Sequence, residues 1–394
     1  MFSVGIVYLW SVFQQPVINH YGWSVSSVTM VSSAIIFVYV VGTLIGGVLN
    51  DRKGPRFSIV LGAILFCSGL FLTSLLTPAF PVWTIYLTYG VVAGLGVGLV
   101  YSAALNVIQK WYPHRRGFAT GISVCAFGLS ATVLAPLITA LIHRFDVSAT
   151  FRILALTFPV VAFLCSFFVV VPSKAYLDGL NLSPAQAKQR DYTPRETLKT
   201  LEFWCLALSL LFLPAAYMMI IPRVKTLAIA RGMSESLATL TVSLTGVASA
   251  VSRLAAASAS DKVGRARTIW ALTVLTLIAS VCMTFATGWF YILAVLLIVA
   301  GYSGPAGIFP AMASDSFGVK YSGTNYGMAF LFLGISSPLF TLVSNLVSAS
   351  GAETGNYTAS FVIAAVGCIV PLVMLPLYDR GKAKRLAREA AEQN

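Results

Sequence analysis

Apolar runs of about 20 residues recur from one end of the chain to the other, separated by short polar links. That spacing constrains the fold more than any other feature. A helix of about 20 apolar residues spans the hydrocarbon core of a bilayer. The composition agrees: of 394 residues 58% are hydrophobic and only 10% charged. Twelve such runs predict an all-α integral membrane protein. The first run begins almost at Met1 and lacks both a basic leader and a small-residue cleavage site, so it reads as a span and not as a signal peptide.

A net charge of +13 raises the question of nucleic acid, and the distribution of charge answers it. If both termini are cytoplasmic, 20 of the 26 Lys and Arg fall on that side of the twelve spans. Arg144, Arg152, Arg223, Lys225 and Arg231 lie opposite, and Arg253 falls within a span. The asymmetry is an orientation signal of the positive-inside kind. The expected partner is therefore the lipid bilayer of the cell (plasma or inner) membrane, with no role for nucleic acid. The six cysteines all lie within apolar runs and show no disulfide or metal-ligand spacing, so they read as small packing residues.

The longest polar stretch, residues 172–197, reads as a cytoplasmic linker dividing six spans from six. The predicted organisation is a six-helix bundle over 1–171, that linker, a second bundle over 198–378, and a basic cytoplasmic tail over 379–394. The halves echo each other. Gly47, Asp51, Arg52 and Gly54 between spans 2 and 3 match Ala257, Asp261, Lys262 and Gly264 between spans 8 and 9, and a basic cluster follows each glycine. A second echo sets Tyr101 against Tyr302 and Gly121 against Gly327. In the first echo the glycine permits a tight turn, the acid can face a helix N-terminus and the bases can pair. Asp51, Arg52, Asp261 and Lys262 are thus candidate gating residues. The alternative is a plain basic loop. Pro136, Pro159, Pro214, Pro305, Pro310 and Pro338 are candidate kinks. Gly90, Gly94, Gly96 and Gly98 in span 4 suit close helix packing.

Arg253 interrupts the run from Ala238 to Ser260, eight residues before the next charge, Asp261. An arginine near the bilayer centre costs about 2.5–3.5 kcal/mol on insertion scales, and intramembrane charges usually line a pathway. The other reading is that its side chain snorkels to the interface. Thr245, Ser249 and Arg253, four residues apart in turn, form a polar stripe on one helical face. A guanidinium matches a carboxylate through two parallel hydrogen bonds. One cation suits one negative charge, so a monocarboxylate is the economical ligand.

Parallel six-helix halves with a duplicated acid–base–x–glycine loop resemble the major facilitator superfamily, over the whole chain. Within it, Tyr8-Leu9-Trp10-Ser11-Val12-Phe13 with His20 to Ser24 looks like the first span of bacterial oxalate/formate antiporter-like carriers and of monocarboxylate transporters. Trp111 to Gly121 is similar to the monocarboxylate transporter signature at span 5, and Phe317 to Lys320 with Asn325-Tyr326-Gly327 resembles the oxalate/formate group. The resemblance implies transport by alternating access, with Arg253 holding the substrate carboxylate. It departs where the oxalate carrier's span 11 lysine is Leu333 here, and where the aspartate before the animal transporters' span 8 arginine is Ser249. The resemblance also places tyrosines of spans 4 and 10 in the cavity, so Tyr101 and Tyr302 are candidate contacts. Trp10, Phe127, Phe330 and Leu333 are candidates for confining an apolar group, though each also fits ordinary packing. Asn106 and Asn325, near span ends, read as helix caps. The expectation is a secondary carrier of lactate- or pyruvate-type monocarboxylates coupled to protons. Alternatives are an organic-anion exchanger of the oxalate/formate type and a membrane sensor that does not transport. Nothing points to an enzyme, a cofactor, a catalytic residue or a metal.

Overall fold

The computed structural model describes residues 1–173, 175–176, 179, 190–354 and 358–392, and every regular element among them is helical. Much of the expected linker, with Lys174, Asp178 and Lys188, lies outside those residues. Eleven helices among the described residues are long and apolar enough to cross a membrane. The first predicted span is divided between a 3-10 helix, Ser3–Leu9, and α1, Trp10–Tyr21, so neither piece reaches spanning length alone. There follow α2 (Val25–Lys53), α3 (Pro55–Ser74), α4 (Trp83–Trp111), α5 (Arg116–Phe145) and α6 (Val147–Phe167).

The seventh span is also interrupted. It comprises α7 (Leu201–Phe212), α8 (Ala215–Ile220), a 3-10 turn (Ile221–Arg223) and α9 (Val224–Ala230). Pro214 sits at the first break, because proline offers no N–H to the preceding turn and its ring clashes there. Spans 1 and 7 hold matched places in the two halves, and both are irregular. The other predicted kink prolines lie inside helices that continue through them. The remaining long helices are α10 (Glu235–Val263), α11 (Arg265–Cys282), α12 (Gly288–Phe317), α13 (Ser322–Thr354) and α14 (Thr358–Glu392). Within α4, Tyr86–Ala93 forms a π-helix followed by α-helix from Gly94 to Trp111.

Local chemistry sets the helix starts. Side-chain oxygens of Ser24, Asp146, Thr200 and Ser234 accept from backbone N–H groups one turn on, and Thr193 with Glu196 completes a capping box. The repeated loop has a backbone reason for its glycine. Gly54 (φ +85°) and Gly264 (φ +108°) hold the sharp turns joining α2 to α3 and α10 to α11, in a region side-chain-bearing residues avoid. Further along, Gly98 packs against Gly42 so closely that a Cβ would stand 2.4 Å from the Gly42 carbonyl carbon. Gly96 and Gly98 of span 4 therefore bring helix backbones together, whereas a Cβ on Gly90 would make only ordinary contact with Ala34.

The chain forms two compact units. Unit 1 is Met1–Ala119, Ala126–Tyr192 and Phe317–Leu331; unit 2 is Thr120–Cys125, Thr193–Ser316 and Phe332–Asn394. Each therefore takes a short segment from the other half of the sequence. Unit 2 has a continuous apolar core that includes Met219, Val224, Tyr291, Val295, Ile298 and Phe340. Large apolar side chains such as Phe168, Trp289 and Leu346 are left exposed, as a lipid-facing surface requires.

Candidate substrate site

In unit 2, Arg253 is only 5% exposed although it stands in the body of α10. Its Nη1 donates to the Val124 carbonyl of α5 at 3.0 Å. Small residues make that approach possible. A Cβ on Gly121 would lie 2.8 Å from the Ala257 Cβ, and one on Gly307 would lie 2.8 Å from the Arg253 carbonyl oxygen. The Gly121 singled out by the internal repeat thus seats α5 against α10. One turn before Arg253, Ser249 Oγ shares a 2.8 Å hydrogen bond with Ser303 Oγ of α12. Ser252 Oγ donates to the Ala300 carbonyl at 2.9 Å, fixing the two helices in register.

Next to Ser303, Tyr302 stacks on Tyr217 of α8, ring centroids 4.2 Å apart. Tyr302 and Leu333 line one small pocket with Leu213, Pro214, Ala306 and Phe309. The break at Pro214 therefore borders this pocket, in keeping with the use of interrupted helices around binding sites. Arg223, placed from sequence on the side opposite the basic loops, is half-buried and hydrogen-bonds Ser344 through its Nη1. Arg231 donates to the carbonyls of Ala286 and Met283 and so finishes the C-terminal end of α11.

In unit 1, Tyr101, Phe127 and Phe330 come together around Tyr39. Tyr39 meets Tyr101 edge-on at 5.3 Å and Phe330 edge-on at 5.7 Å, and Tyr101 stacks on Phe330 at 5.9 Å. Tyr326 stacks on Phe330 at 5.1 Å, extending the group. Trp10 stands apart from this cluster. Its indole N–H donates to the Val28 carbonyl at 2.9 Å and its ring packs on Tyr89, so its polar atom is committed to holding α1 on α2.

The candidate gating residues divide as well. Asp51 accepts from the Thr324 N–H at 2.9 Å and its hydroxyl at 2.7 Å, capping the first turn of α13. Gly47 faces Gly323 there, and Gly327 faces Leu44. In the second copy Asp261 pairs instead with Arg265, which also bonds Asp315 at 2.9 Å and Ser260 at 2.7 Å. The duplicated motif thus does two different jobs. Arg52 and Lys262 are exposed at the surface. Asn106 and Asn325 do not cap their own helices. Asn106 Nδ2 donates to Ser322 Oγ at 2.6 Å, and Asn325 Nδ2 to the Tyr192 carbonyl at 3.0 Å.

Sequence reasoning missed Tyr39, Tyr217 and Ser303. Ser303 was the most accessible of these, since it adjoins Tyr302; the two tyrosines carry no local mark.

A lipid-facing helical protein with interrupted spans, a buried arginine beside a hydroxyl pair and an apolar pocket has the features of a membrane carrier. The chain belongs to the Major Facilitator Superfamily, whose family model matches residues 1–341 and 206–393. It is a transporter and not an enzyme. It is similar to the oxalate:formate antiporter of Oxalobacter formigenes, 23% identical over 94% of this chain and 86% of that protein. Human monocarboxylate transporter 12 is 34% identical over a shorter stretch, 26% of this chain and 19% of that one. Among solved structures, FucP in the outward conformation aligns with a TM-score of 0.70 at 15% identity, covering 96% of this chain and 97% of that one. The proton:xylose symporter XylE aligns with a TM-score of 0.71, also at 15% identity, covering 95% and 93%. These two show the fold.

Proposed function

We propose that the protein carries small monocarboxylates of the lactate or pyruvate type across the cell membrane by alternating access, as a proton symporter with both termini cytoplasmic. The observation that carries this reading is Arg253, a cation buried in the body of α10 one turn from the Ser249–Ser303 hydroxyl pair. The guanidinium binds the carboxylate, and Ser249 or Ser303 meets an α-oxygen. The pocket beside Tyr302 and Leu333 takes the short apolar end. Two relatives, by name an oxalate:formate antiporter and a monocarboxylate transporter, support an organic-anion substrate.

The test is counterflow in proteoliposomes with a panel of C2–C6 acids. Lactate or pyruvate should exchange readily, and Arg253→Gln should lower that exchange by about 100-fold, the equivalent of about 2.7 kcal/mol. Unaltered exchange by Arg253→Gln would return Arg253 to a structural role. Oxalate exchanging in preference to monocarboxylates would favour the exchanger reading, which the full-length similarity to the oxalate:formate antiporter keeps open. Binding without flux would favour the sensor.

A further inference from the structure

The chain leaves unit 1 after Tyr192 and returns to it at Phe317, and these two residues touch. The Tyr192 N–H donates to the Phe317 carbonyl at 2.9 Å. Asn325 Nδ2 returns a bond to the Tyr192 carbonyl at 3.0 Å, and Asp191 Oδ1 accepts from the Lys320 N–H at 3.1 Å. The Tyr192 ring is 6% exposed; it meets the Phe317 ring edge-on and lies under the Arg190 guanidinium. Asp191 and Tyr192, at the end of the linker, are thus fastened to the turn between α12 and α13.

That turn is shaped to receive them. Gly318 holds φ +82°, and a Cβ there would lie 2.2 Å from Asp191 Oδ1 and 2.8 Å from the Asp191 Cα. Other groups of unit 1 hold the same first turn of α13. Asp51 of α2 bonds Thr324, and Asn106 of α4 bonds Ser322. Lys110 of α4 interacts electrostatically with both Asp51 and Asp191. The opening N–H groups of a helix have no partners within it. Here they and their neighbours are met by α2, α4 and the linker end together.

We propose that Arg190–Tyr192 is a strap, its residues positioning groups for the transport cycle. It holds the first turn of α13 onto α2 and α4, and it must let go whenever this end of the molecule opens. The end of the linker, residues 190–192, is then part of the gate.

Hydrogen–deuterium exchange on the full-length protein in lipid nanodiscs tests it, read on peptides covering residues 44–53 and 322–330. Asp191→Ala removes the acceptor for Lys320, and Gly318→Ala drives a methyl into the strap. Each should raise exchange in both peptides by about tenfold, as loss of roughly one net hydrogen bond predicts. Asp191→Asn keeps the acceptor oxygen and should restore slow exchange. Gly232→Ala imposes the same kind of positive-φ penalty, at φ +75°, where a Cβ meets nothing within 4 Å. It should leave both peptides unchanged. Unchanged exchange in Asp191→Ala would overturn the strap, as would an equal rise in Gly232→Ala. Should Gly318→Ala not fold, the Asp191 pair decides. Because the readout does not involve uptake, failure of the monocarboxylate reading leaves the result intact.

Discussion

Arg253→Lys retains a positive charge but replaces a planar fork with a flexible ammonium that cannot make two parallel bonds to one carboxylate. Uptake by that variant is expected to fall by at least about tenfold, a loss of about 1.4 kcal/mol, while the protein still inserts and purifies. Leu333 offers the complementary change. It lines the pocket with Tyr302, so Leu333→Lys adds a second cation on the same unit as Arg253. Competition assays should then show oxalate gaining on lactate; an unchanged order of preference would separate Leu333 from the substrate. At this scale Arg253 and Ser249 were legible because polar groups repeating every four residues stand out in an apolar run. Tyr39 and Tyr217 were not legible. An aromatic ring in a span looks alike whether it faces lipid, a neighbour or a ligand, and only the helix rotation decides.

The helices show what a repeated glycine is for. Gly54 lies in open space but at φ +85°, so Gly54→Ala should cost about 1–3 kcal/mol of backbone strain. A lowered thermal midpoint with near-normal uptake would show this. Gly47→Ala differs in kind, since its Cβ would stand 2.2 Å from the Gly323 carbonyl oxygen. It should part α2 from α13 and impair transport more than Gly54→Ala, whatever its thermal midpoint. The turn glycine and the helix caps could be read from the sequence because their causes are local. Hydropathy marked the spans but not their breaks. Pro214 signalled one interruption, yet the division of span 7 into three helices and a 3-10 turn depends on what packs against it.

For the molecule as a whole, uptake of a monocarboxylate as proposed would move an anion into a cell that is negative inside, against about 2.3 kcal/mol per elementary charge at 100 mV. The acids Asp51, Asp261 and Asp315 lie near the ends of α2, α10 and α12, and Glu202 at the start of α7 is tied to Arg385 at 2.8 Å. Each has a structural engagement, and arginine does not give up its proton usefully. On the proposed reading the substrate carboxylate itself would carry the proton, ionised beside Arg253 and protonated as that pair separates. Uptake should rise as external pH falls, collapse with a protonophore and carry no current. Inward negative current, or uptake driven only by internal anion, would establish uniport or exchange. The duplicated loop suggested a two-half plan. The trade of Thr120–Cys125 and Phe317–Leu331 between units was not, since it rests on contacts between residues far apart in sequence.

Losing one residue from a helix ordinarily rotates everything beyond it by about 100° and turns a buried face outward. The π-helical stretch Tyr86–Ala93 is different. Its wider turns hold more residues than an α-helix would over the same rise, so the chain carries slack there. Deleting Val92 should let the stretch tighten towards α-helix while Gly94 to Trp111 keep their facing. The shortened protein should reach the membrane folded, as gel filtration would show. Deleting Val97, a few residues on in regular α-helix, should not be survivable. Span 4 would then be a place where the chain can lose a residue and still present the same faces of every later helix to the same neighbours.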